Sequence, residues 1–140
     1  MAQQKAPIPM LDPDTLHRID IYLEQFYPES VKAGAKMAAV DLGTTQIRGL
    51  ETLITSTSRF SEIINYVKNQ AGKDRKQKWS IVAPILLKQL DELETEAKTI
   101  GLEKPQNILE IKMKLARGWA KQVATHCIYE QTLKKEASHE

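Results

Sequence analysis

Four cations fall within six residues in Lys73-Asp74-Arg75-Lys76-Gln77-Lys78. Charges this dense do not enter a core, so Lys73, Arg75, Lys76 and Lys78 belong on a surface connection, where they suit contact with phosphate. Arg48 and Arg59 make a second basic group, with Thr52 and Thr55 between them as hydroxyls of the kind that hydrogen-bond phosphate oxygens. Lys114, Arg117 and Lys121 are spaced by three and four, which places them on one face of a helix. The chemistry on offer is electrostatic: cations displace the counterions condensed on a polyanion, whatever its sequence. No base-reading motif accompanies them, so sequence-specific readout is not expected.

Other chemistries find less support. His126 and Cys127 are adjacent, so on a helix their side chains diverge by about 100° and cannot share one ion. His17 is remote, His139 lies in the tail, and no His-Glu-x-x-His occurs. His126 falls on an apolar stripe and reads as a packed or interface histidine. Asp91, Glu92, Glu94 and Glu96 cluster, but acid–base catalysis needs burial that splits carboxylate pKa values, and such a run reads as solvated. There is no glycine-rich phosphate loop, no Gly-x-Ser-x-Gly elbow and no setting for a cysteine nucleophile. No catalytic residue, metal site or cofactor is expected.

Cys127 is the sole cysteine, so no internal disulfide forms. Met1–Met10 lacks the apolar centre of a signal peptide and carries Pro7 and Pro9. No apolar run approaches the length of about 20 residues that spans a bilayer. These features lead to an expectation of a reducing, cytoplasmic setting.

The elements that must position the cations follow from helical periodicity. Residues 1–11 read as a flexible leader and 12–137 as one helical domain. Asp12-Pro13 reads as an N-cap with proline in the first turn, opening a helix over about 13–27. Pro28 ends it or opens the next segment, a short helix over Glu29–Val40 broken at Asp41-Leu42-Gly43. Thr44 or Thr45 caps a long third helix carrying Ile47, Leu50, Ile54, Phe60, Ile63 and Val67, with a kink in the Thr52–Ser58 stretch and an end at Gly72. Ser80 caps a fourth, with Trp79 packing back on it and Pro84 in its first turn, closed by Gly101. Pro105 opens a fifth, whose stripe of Ile108, Ile111, Leu115, Trp119, Val123, His126 and Leu133 faces the core; Glu136–Glu140 frays. With 140 residues, 41% of them hydrophobic, and only six Gly and six Pro, the chain reads as all-α: a compact bundle of four to five helices.

Charge is segregated along this order although the total is only +2. Residues 44–90 carry eight cations and three anions, net +5, while 91–103 carry one and five, net −4. Residues 1–43 are net −2 and 104–140 net +3. Alternation of this kind suits association of like molecules or a basic face turned to a polyanion.

Thr44-Thr45-Gln46-Ile47-Arg48, opening a helical pattern to about Val67, resembles the start of the core of small helical subunits of type III CRISPR effector complexes. The later helix Ile108–Leu133, with Thr125-His126-Cys127-Ile128-Tyr129, is similar to that family's closing helix. The resemblance spans about residues 44–133. It implies a non-catalytic subunit of an antiviral ribonucleoprotein that stacks with copies of itself beside other subunits and lines the guide RNA–target RNA duplex through backbone contacts. RNA cleavage and nucleotide cyclisation would belong to other subunits. Arg48 matches the family's early-helix basic residue; Arg59, Lys68 and the Lys73–Lys78 loop are added on charge alone. The acidic Asp91–Glu96 stretch would then face the neighbouring subunit. The competing expectation is a helical protein–protein adaptor without nucleic-acid binding, with Trp79 and Trp119 as interface anchors.

Overall fold

The computed structural model describes residues 11–73 and 77–138. Five α-helices and one 3₁₀ turn account for nearly all of them, and no strand occurs among the described residues. The helices are α1 (Pro13–Ala39), α2 (Thr44–Ser56), α3 (Phe60–Gly72), α4 (Trp79–Ile100) and α5 (Ile108–Ser138). No described helix is long and apolar enough to cross a membrane.

α1 begins as the sequence dictates: the Asp12 carboxylate accepts from the Thr15 N–H at 2.7 Å, and Pro13 stands in the first turn. It does not stop at Pro28. The helix continues for 27 residues because Pro28 is exposed, so the Glu24 carbonyl that loses its donor lies on the solvent side, while Phe26, Ser30, Ala33, Gly34 and Met37 keep an unbroken buried face. It ends in a Schellman turn: Leu42 N–H reaches the Met37 carbonyl, Asp41 N–H reaches that of Ala38, and Asp41 takes the left-handed backbone at φ 59°. Leu11, read as part of the leader, is buried.

The long third helix of the sequence reading is two helices. Thr57, itself buried, accepts the Arg59 N–H on its hydroxyl at 3.1 Å, and this local bond competes with helix continuation so that the chain reverses over 57–59. Thr44 and Thr45 lie inside α2; its N-cap is Gly43, whose N–H donates to the Gln46 side chain. α4 starts two residues earlier than expected, with Lys78 rather than Ser80 at the N-cap and Trp79 and Ser80 inside the first turn, which puts Pro84 past that turn, again on an exposed position. Pro105 opens the 3₁₀ turn Pro105–Asn107 that leads into α5.

α5 is the axis of the bundle and packs against all four other helices, most extensively α1. α1 and α5 run parallel: Lys104 meets Asp12 at one end and Lys134 meets Asp41 at the other. α4 runs antiparallel to both, and α2 runs down α5 with Gln131 donating to Leu42 O near its start and Arg117 reaching Thr57 O past its end. Trp119, Leu115, Ile111, Leu93, Leu90, Leu86, Ile63, Ile54 and Met37 fill the core. Leu133, placed on the α5 stripe from spacing, is exposed, because at this end α5 turns Gln131 and Lys134 to the α1–α2 turn and leaves Leu133 on another side. One polar chain crosses the core: Trp119 Nε1–H donates to Gln89 Oε1 and Gln89 Nε2–H donates to the Glu29 carbonyl, both at 2.8 Å, tying α5, α4 and α1.

Candidate nucleic-acid interface

The basic residues singled out from sequence separate into two kinds. Arg48 lies on exposed α2 and pairs with Glu51 at 2.8 Å; Arg59, the residue before α3, donates through Nε to Glu62 at 2.7 Å. Arg59 and then the Thr57 hydroxyl hold the Glu62 carboxyl below its usual range. Lys78 donates to the Asp41 carbonyl at 2.9 Å, closing the α3–α4 connection onto the α1–α2 turn. Arg117 reaches the Thr57 carbonyl at 3.5 Å. These four cations serve the fold's own contacts. Thr55 does likewise: its hydroxyl donates to the Thr52 and Glu51 carbonyls, so it is not a free donor beside Arg48.

Lys68 on α3, Lys73 just past its end, and Lys114 and Lys121 on α5 form no ion pair with any described residue. Lys73 and Lys78 stand at the two ends of the α3–α4 connection; Arg75 and Lys76 lie outside the described residues. The eight described cations therefore do not converge on one cleft but are spread over α2, α3, the ends of the α3–α4 connection and α5.

The longest stretch of unopposed charge is on α5. From Ile111 to Tyr129 the helix carries Lys112, Lys114, Arg117 and Lys121 and no Asp or Glu. Lys112 is spent on Glu94 at 2.7 Å and lies 5.5 Å over the Phe60 ring. Lys114 and Lys121 stand two turns apart, about 10 Å along the axis, Lys121 exposed and Lys114 half-buried.

The remaining candidates resolve into structure. His126 Nε2 shares a 2.6 Å hydrogen bond with the Tyr27 hydroxyl, and the rings meet edge to face at 5.2 Å. Cys127 is fully buried, and burial pushes its thiol up to about 11. No three His, Cys, Asp or Glu side chains gather as a metal site among the described residues. The acids of α4 do not form one face: Glu94 turns to Lys112, Asp91 is exposed, and Glu92 and Glu96 lie near Tyr22. Burial first, and these two carboxylates next, push the Tyr22 phenol up to about 12. Helical geometry explains the dispersal, since four acids within six residues of a helix point around most of its circumference. Trp79 and Trp119 are buried and cannot anchor a partner as the adaptor reading requires.

Comparison of the chain with protein-family models, curated proteins and solved structures finds no match.

Several contacts were missed from sequence. Lys104–Asp12, Lys134–Asp41 and Lys112–Glu94 join residues far apart in the chain and leave no local signal. Gln89 is a polar residue on an apolar stripe, and that irregularity was the one available sign of the buried chain through Trp119.

Proposed function

We propose that this chain is a non-catalytic structural subunit of a CRISPR-type ribonucleoprotein effector complex, holding the guide and target RNA by its phosphates and stacking beside like subunits. The observation that carries this reading is the acid-free stretch of α5, with half-buried Lys114 and exposed Lys121 in no ion pair with a described residue. A side chain already paired gives up one partner to gain another, whereas an unpaired surface lysine releases only counterions when phosphate approaches. Lys68 on α3 and Lys73 just past its end supply further cations of the same kind. Arg48 is held by an exposed pair worth roughly 0–1 kcal/mol, so phosphate competes for it readily. The open, shallow surface of the described helices suits an extended polyanion better than a small substrate. Fluorescence anisotropy with two RNAs of unrelated sequence, each at two salt concentrations, tests the reading. Equal affinities that fall steeply with salt are expected; salt-insensitive or strongly sequence-dependent binding would contradict it.

A further inference from the structure

Where α5 begins, at the end of the bundle opposite the Asp41 turn, Leu109 stands half-exposed at 50% between two open grooves. One groove, of about 330 Å³, runs over Phe60 and Ile64 and is rimmed by Arg59 and the Lys112–Glu94 pair. The other, of about 260 Å³, is lined by Gln106, Asn107, Met113 and Arg117. Arg117 is in an unusual state. Its Nε–H is shut off from water without an acceptor, and its single hydrogen bond among the described residues is the long one to Thr57. Glu110 lines the same groove but makes no ion pair with it.

A guanidinium already stripped of part of its water loses less on meeting a carboxylate than a fully hydrated one, and its planar fork fits two carboxylate oxygens. We propose that these grooves dock a segment of a partner protein that carries an Asp or Glu within a few residues of a large apolar side chain. The carboxylate takes the outer nitrogens of Arg117, and the apolar side chain crosses Leu109 into the groove over Phe60 and Ile64. Gln106 and Asn107 supply amide groups that can pair with peptide backbone. The amides could serve a phosphate as well, but a phosphodiester backbone has no apolar side chain to lay over Leu109, Phe60 and Ile64, so a peptide is favoured over RNA here. The inference stands apart from the RNA-binding reading, which rests on Lys114 and Lys121.

The test is selection of random ten-residue peptides displayed on phage against the full chain, followed by anisotropy titration of a synthetic selected peptide. Enrichment of sequences pairing an acid with Leu, Ile, Phe or Met is expected. Arg117→Lys keeps the charge and loses the fork, and should weaken the peptide by about tenfold or more, as should Leu109→Ser. Lys114→Ala/Lys121→Ala should leave peptide binding unchanged, which separates this site from the RNA surface. Melting curves of each variant check that it folds. No enrichment, enriched peptides without acids, or affinity indifferent to Arg117→Lys would overturn the proposal. So would displacement of the peptide by oligouridylate, which would mark a phosphate site, or a Leu109-dependent dimer in sedimentation, which would give the face to a second copy.

Discussion

Gly34 and Gly118 both lie where α1 and α5 approach closely, yet a methyl group added at each meets different matter. At Gly34 it would come within 2.7 Å of the Val123 carbonyl oxygen and 3.0 Å of the Cys127 nitrogen, atoms that move only if a helix moves. At Gly118 it would meet the end of the Leu23 side chain at 2.5 Å, which can change rotamer. Gly34→Ala should therefore cost about 2–3 kcal/mol as overpacking, whereas Gly118→Ala should fall within about 1 kcal/mol of the parent once the helix propensity of alanine is counted. Urea midpoints of the two variants check this. Cys127 gives a pH prediction whose sign is fixed by burial. Its ordinary value is 9.0, and the folded thiol holds its proton to about 11, so the folded state binds the proton more tightly across that window. This contribution is intact below pH 9 and is lost as pH rises toward 11. Stability should decline over that range, and less so in Cys127→Ala. At this scale the adjacency of His126 and Cys127 is legible in sequence, and it sends their side chains in different directions on α5. Nothing in the sequence points to Tyr27 as the partner of His126, which lies 99 residues away.

The helices were legible where burial and propensity agree and misread where a local rule met tertiary context. Pro28 is the instructive case. Proline ends helices when its lost hydrogen bond is buried or its ring has no room, and neither holds on the exposed side of α1. Pro28→Ala should restore a donor to the Glu24 carbonyl and raise stability by about 1–3 kcal/mol, read as a higher urea midpoint. A loss of stability would mean that α1 needs the proline for its course along α5. The Thr52–Ser58 stretch was marked by its low propensity, but periodicity alone could not distinguish a kink from a full reversal; the Thr57 hydroxyl decides that. Gln89 ties three helices together. Gln89→Ala should strand the buried Trp119 N–H, while the Glu29 carbonyl keeps its intrahelical partner, at a cost of about 1–3 kcal/mol from the lost bonds.

For the whole molecule, the all-α class followed from periodicity and the scarcity of Gly and Pro, and five described helices bear it out. The surface was harder to read. Arg48–Glu51 and Arg59–Glu62 are three residues apart and could have been found from sequence, which would have set those arginines apart from the unpaired lysines. Lys78–Asp41 joins residues 37 apart and could not. The proposed RNA surface consists of the acid-free length of α5, Lys68 on α3 and Lys73 just past its end. Its strength should follow salt rather than sequence, because phosphate is common to every nucleotide. The most direct measurement is the slope of log affinity against log salt for one RNA, in the parent chain and in Lys114→Ala/Lys121→Ala. Loss of two phosphate contacts should make the slope shallower by about 1.4 for single-stranded RNA, and melting curves separate this from the packing lost where half-buried Lys114 is truncated. An unchanged slope in the double variant would contradict the account.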